Sequence, residues 1–123
     1  MTNAAEPQQG RHLLAELYGC AGLDDEANIE GALRGAAAAA GATLLEVRLH
    51  SFGPGHGVTG VALLAESHIS IHTWPEHGYA AIDIFLCAPW HDLEAGLAVL
   101  TGALAAERVE SRNIVRGYAS VTV

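Results

Sequence analysis

Polar and apolar residues alternate from His68 to Trp74. His68, Ser70, His72 and Trp74 fall on one side of an extended chain, and Ile69, Ile71 and Thr73 on the other. A period of two predicts a strand with one covered face, and Pro75 ends it. Residues 79–87, YAAIDIFLC, predict a second strand, joined to the first through an EHG turn. Upstream, residues 42–52 alternate and residues 58–65 form an apolar run, so both read as strands; GPGHG at 53–57 is a loop by composition. Residues 11–20, RHLLAELYGC, suit a first strand, although their length also fits a helix. Two stretches have helical character. One starts at Asp24 with acids, runs through alanines and stops at Gly41; the other spans residues 90–106, with Leu93, Leu97, Leu100 and Leu104 on one side. Residues 109–123 read as a last extended segment, bent at Gly117.

The resulting order, β-α-β-β-β-β-α-β, predicts an α+β two-layer sandwich: one antiparallel sheet with both helices on one face. The other face then needs cover, and a homodimer stacking sheet on sheet would supply it. At 123 residues, half of them hydrophobic, the chain suits one domain with a real core.

Composition narrows the function. A net charge of -8 with six scattered arginines gives no basic face for nucleic acid; it tolerates or mildly attracts a cationic small molecule. No apolar run is long enough to span a bilayer, and MTNAAEPQQG lacks the pattern of a signal peptide, so it reads as a short flexible tail of a cytoplasmic protein. Cys20 and Cys87 are too few and too far apart for a disulfide framework. The six basic residues are all arginine. Without lysine there is no Schiff-base anchor for pyridoxal phosphate and no lysine-based imine catalysis.

The strand at residue 67 opens on Glu66-Ser67-His68. His68 and His72 have the spacing of a helical zinc pair, but on a strand they stand about 13 Å apart, which argues against one shared ion. Ser67 lacks the GxSxG surroundings of a hydrolase nucleophile. The backbone offers a third chemistry. The Ser67 hydroxyl can attack the Glu66 carbonyl and turn the amide into an ester. Loss of the Cα proton then expels the Glu66 carboxylate and leaves dehydroalanine at residue 67, and hydrolysis leaves a pyruvoyl ketone and ammonia. Such a ketone can form an imine with an amino acid and accept electrons as CO2 leaves, the role pyridoxal phosphate plays elsewhere.

GVTGVALLAESHISIHTWPEHGYAAIDIFLC resembles the short bacterial and archaeal S-adenosylmethionine decarboxylases, whose hallmark elements ESH, IHT, PE and D-x-x-x-C all occur here. The resemblance begins at RHLLAELYGC. It implies self-cleavage between Glu66 and Ser67, giving chains 1–66 and 67–123, with Ser67 as precursor of the pyruvoyl group and site of the Schiff base. It implies that His72 serves processing, from the same strand face as the junction, with Thr59 where the family has an assisting serine. Cys87 matches the proton donor, Glu76 the acid on the ribose hydroxyls, and Phe52 the ring on adenine; His68 follows the cut and shapes the site or contacts substrate. Asp83 reads as a buried polar anchor. The implied cofactor is the covalent pyruvoyl group, without pyridoxal phosphate or metal. The implied product is the aminopropyl donor for spermidine synthesis.

The chain departs from the family in a longer GPGHG loop, in Ala88-Pro89-Trp90 after Cys87, and in its C-terminal segment. Arginine or ornithine is the alternative substrate, since some members of the family use the same machinery on them. An unprocessed regulatory homologue is the non-enzyme alternative.

Overall fold

The computed structural model describes residues 9–117. Six strands and two α-helices follow in the predicted order: β1 (Gln9–Tyr18), α1 (Glu26–Ala40), β2 (Leu44–Ser51), β3 (Val58–Leu64), β4 (Ser67–Trp74), β5 (Tyr79–Leu86), α2 (Leu93–Ala103) and β6 (Arg108–Gly117). A short 3-10 turn, Pro75–His77, joins β4 to β5. All six strands form one sheet in the order β2-β3-β4-β5-β1-β6, with every pairing antiparallel. The first segment is therefore a strand, not a helix. Its alternation decides this, since Leu13, Ala15 and Leu17 are all buried. The predicted end of the last segment, residues 118–123, and the tail, residues 1–8, lie outside the described residues.

Helix α1 starts at Glu26, two residues after the Asp24 that its acids suggest. Asp25 caps it by accepting from the Asn28 amide at 3.1 Å, and Gly41 closes it in the left-handed region at φ 80°. Helix α2 begins three residues later than its periodicity suggests, because Asp92 accepts from the Ala95 amide at 3.0 Å and caps it there. Gly35, which weakens α1 by propensity, has a packing reason. A Cβ there would stand 3.1 Å from Val99 Cγ1 of α2.

Both helices lie on one face of the sheet. Ile29, Leu33 and Ala36 of α1 and Leu97 and Leu100 of α2 are buried with Leu13, Ile69, Ile71 and Ile84 of the strands. Each large aliphatic chain so buried contributes about 1.5–3 kcal/mol of transfer free energy. The opposite face carries His12, Glu16, His68, Ser70, His72, Trp74, Tyr79, Asp83 and Phe85, none of them fully buried. We call it the open face.

Thr73 is the buried polar residue of the core, 5% exposed. Its hydroxyl donates to the Leu23 carbonyl at 2.8 Å and accepts from the Val58 amide at 2.8 Å, tying β4 to β3 and to the loop before α1. Thr73→Val keeps the volume but orphans both groups. It should cost about 1–3 kcal/mol, read as a drop in thermal midpoint of about 4–10 °C by calorimetry.

Candidate active site

The Glu66–Ser67 bond lies at the tightest turn of the sheet. Leu64 pairs with Ser67, so only Ala65 and Glu66 form the turn between β3 and β4. Glu66 has a φ of 62°, the left-handed region that disfavours a residue with a Cβ. Backbone strain therefore falls on the residue whose carbonyl would be attacked. The Cys87 thiol, just past β5, donates to that same carbonyl oxygen at 3.0 Å. Ser67 Oγ is buried and makes no hydrogen bond. Leaving a buried hydroxyl unpaired costs about 1–3 kcal/mol, and it leaves the oxygen uncommitted beside the carbonyl.

His72 is not where the sequence reading puts it. Ser67 belongs by alternation with Ile69, Ile71 and Thr73, whereas His72 stands on the open face with His68, Ser70 and Trp74. The two are also five positions apart on β4, roughly 17 Å by strand rise. What His72 does meet is Thr59, directly opposite on β3, with Thr59 Oγ1 3.3 Å from His72 Nδ1. Phe52 follows β2 at that end of the sheet, its ring 4.6 Å edge-on from His50, which pairs with Thr59. Glu76 is exposed in the turn after Trp74. The candidate residues thus sort into two clusters: Glu66, Ser67, His68 and Cys87 at one end of β4, and Phe52, Thr59, His72 and Glu76 at the other.

Between the clusters lies a polar hub that sequence reasoning left without a function. Asp83 Oδ2 accepts from His12 Nε2 at 2.6 Å and from His68 Nε2 at 2.8 Å, and Oδ1 accepts from the Ser70 hydroxyl. Burial, the strongest single influence, pushes the carboxyl up. The hydrogen bonds from Ser70, His12 and His68 and the charge of His68 together outweigh it and hold the group below the ordinary Asp value. This lowered value makes the hub stabilising above the ordinary carboxylate range, and that contribution is lost as pH falls through it. The signal was an acid at mid-strand facing the same side as the histidines; which histidines it meets depends on pairing between distant strands.

The ligand atoms of His12, His68 and Asp83 lie within 4.8 Å of one another, close enough to consider a metal. Arg116 argues against it. Its guanidinium, always a donor, stands 3.0 Å from His12 Nδ1, so that nitrogen is the acceptor and the ring proton is on Nε2, pointing at Asp83. A metal-ligating histidine needs the reverse.

Arg11 fixes the segment after Cys87 by donating to the carbonyls of Ala88 at 3.0 Å and His91 at 2.7 Å. Burial and the Arg11 charge hold His91 below the ordinary imidazole value. At the far end of the open face the rings of Trp74, Tyr79 and Tyr18 stack at 5.1 and 5.5 Å, with the Arg108 guanidinium 4.0 Å over Tyr18. Two concavities, of about 420 and about 360 Å³, are lined by none of the predicted site residues.

The family model for S-adenosylmethionine decarboxylase matches residues 11–117. A relative from Parasynechococcus marenigrum is 54% identical over 109 residues, covering 87% of this chain and 84% of its own. One from Methanococcus vannielii is 47% identical over 116 residues, covering 93% and 94%, and one from Thermomicrobium roseum is 44% identical over 108, covering 88% and 93%. All three are named S-adenosylmethionine decarboxylase proenzyme. The crystal structure of the adenosylmethionine decarboxylase from Aquifex aeolicus superposes with a TM-score of 0.82 at 36% identity, covering 96% of this chain and 98% of that one.

The Tyr79 phenol donates to Glu16, and that hydrogen bond, with burial and the nearby negative charges of Glu16 and Tyr18, pushes its pKa up to about 12. In a tyrosinate absorbance titration, Glu16→Gln should bring the Tyr79 step down toward the ordinary phenol value, and Tyr79→Phe should abolish it.

Proposed function

The chain belongs to the S-adenosylmethionine decarboxylase family, and from that premise we propose that it is a self-processing pyruvoyl-dependent decarboxylase of S-adenosylmethionine. The relatives' names carry the substrate, in preference to arginine or ornithine. One observation carries the self-processing. A buried, unpaired Ser67 hydroxyl adjoins a carbonyl that is turned by the positive φ of Glu66 and hydrogen-bonded by Cys87.

Attack of Ser67 Oγ on the Glu66 carbonyl carbon forms a C–O bond and breaks the C–N bond. The Cys87 thiol stabilises the developing oxyanion. Removal of the Ser67 Cα proton expels the Glu66 carboxylate as leaving group. Water then replaces nitrogen, which departs as ammonia, and chains 1–66 and 67–123 result. The pyruvoyl ketone supplies a carbonyl that condenses with the substrate amine and takes up the electron pair left by CO2. Cys87, still at the junction, supplies the proton that quenches the substrate carbon. A product bearing an aminopropyl group on sulfonium suits transfer to an amine, as in spermidine synthesis.

The two clusters give the reading its stoichiometry. His72 and Thr59 cannot reach the junction of their own chain, yet they occupy the far end of the same face. Two copies stacked by their open faces, about a two-fold axis running across the strands, bring the His72 end of one over the Ser67 end of the other. Two complete sites form, each with processing and adenosine-binding groups (Thr59, His72, Glu76, Phe52) from the opposite copy. The exposed apolar residues Trp74, Leu63, Phe52 and Ile114 on or beside that face support such cover.

Denaturing mass spectrometry should find two chains divided at 66/67 in the wild type and one in Ser67→Ala, and the cleaved protein should release CO2 from carboxyl-labelled S-adenosylmethionine but not from arginine or ornithine. A wild type that stays whole after long incubation removes the proposal. Assembly is tested by coexpressing Ser67→Ala with His72→Ala. Each alone should be inactive, and the mixture should recover about a quarter of wild-type activity, since half the dimers are mixed and each mixed dimer has one whole site. No recovery would mean that each chain builds its own site.

A further inference from the structure

Self-cleavage, as proposed above, turns a hairpin into two chain ends, and one of them carries the reactive group. Before the cut, β4 is tied to β3 through Ala65 and Glu66. Afterwards residue 67 is a free strand end. Its nitrogen has left as ammonia, so any hydrogen bond from that nitrogen is lost as well. Strand ends fray unless something ties them down, and a group that must meet substrate within a fraction of an ångström tolerates little fraying.

The first side chain beyond the cut is His68. Its Nε2–H donates to Asp83 Oδ2 at 2.8 Å. Asp83 is itself held by His12 at 2.6 Å and by Ser70, and His12 by Arg116 at 3.0 Å. Arg116 also lies over the Phe85 ring at 5.2 Å, and that ring stands edge-on to His12 at 5.4 Å. The chain of contacts therefore crosses β4, β5, β1 and β6, anchoring the first side chain of the new terminus to elements that the cut leaves intact.

We infer that Asp83 and His12 are positioning residues that act through His68 to keep the cleaved N-terminus of chain 67–123 docked in the sheet. This inference rests on the self-cleavage reading and assigns a role in turnover, not in processing. Asp83 touches no reacting atom; its effect passes through the His68 imidazole.

The test is hydrogen exchange by mass spectrometry on fully cleaved protein, comparing wild type, His68→Phe, His68→Gln and Asp83→Asn. The same substitutions are also placed in the uncut Ser67→Ala chain. His68→Phe and Asp83→Asn should still cleave. Their amides over residues 68–72 should then exchange about tenfold faster or more, the scale of losing a hydrogen bond to a charged group. In the uncut background the same substitutions should change exchange little. His68→Gln keeps an N–H directed at Asp83 and should recover protection that His68→Phe does not. The kinetic signature is a fall in kcat larger than any change in KM.

Equal exchange in wild type and His68→Phe would overturn the inference. So would equal loss of protection in cut and uncut chains, which would mark ordinary structural destabilisation, and so would a His68→Phe chain that fails to cleave. A wild type that never cleaves overturns the functional reading and this inference together; a cleaved wild type indistinguishable from His68→Phe overturns this inference alone.

Discussion

The register of β4 between β3 and β5 fixes where every reactive group stands. Ile69 and Ile71 are fully buried against the helices and Thr73 nearly so. Because side chains alternate, those residues force His68, Ser70 and His72 to the other face. A slip of one residue would expose both isoleucines and bury two imidazoles, so the hydrophobic core enforces the geometry of the polar face. The same register sets Ser67 against Leu64 at the hairpin, His68 against Phe85, and His72 against Thr59. No loop has to fold correctly for these pairs to meet. They follow from pairing that the core already requires.

That constraint divides the chemistry. Strand rise and alternation separate Ser67 from His72 in distance and in face, and no rotamer of either side chain closes such a gap. The junction end holds the nucleophile, the strained carbonyl and a thiol. The far end holds an imidazole–hydroxyl pair, an aromatic ring and an acid. In the proposed reading a protomer has both halves of a site and cannot join them. In the proposed assembly the missing half comes from a second copy. Self-cleavage is then coupled to dimerisation, and an unassembled chain keeps its hydroxyl uncommitted and its backbone whole.

Much of this was legible in the sequence where it depended on local period. The eight elements and their order follow from alternation and helical spacing, and the end of α1 from Gly41, whereas the start of α2 is set by the Asp92 cap and not by its periodicity. Residue identities at the junction were legible as well, because Glu66, Ser67 and Cys87 sit in a long, specific pattern. The misplacement of His72 came from treating nearness in sequence as nearness in space; the alternation that placed His68 and His72 together also placed Ser67 on the other side. Asp83 was visible as a mid-strand acid, but its meeting with His12, 71 positions away, is a consequence of β1 inserting beside β5. Local pattern carries no record of that insertion. Nor does it show the positive φ of Glu66, which the tight β3–β4 turn imposes.

The polar hub at Asp83 belongs to the same logic. A half-buried carboxylate receiving three hydrogen bonds would be an inefficient way to stabilise a sheet, since an apolar residue of similar size packs there without desolvation. Its value lies in direction. Three donors from β1 and β4 converge on one carboxylate of β5, and Arg116 of β6 sets the tautomer of one of them. Such a network has one low-energy arrangement, whereas an apolar patch has many. If the chain cuts its own backbone as proposed and then works from the loose end, that end needs to be held by something other than the backbone. On the open face, the first side chain after the cut is the one that reaches that network.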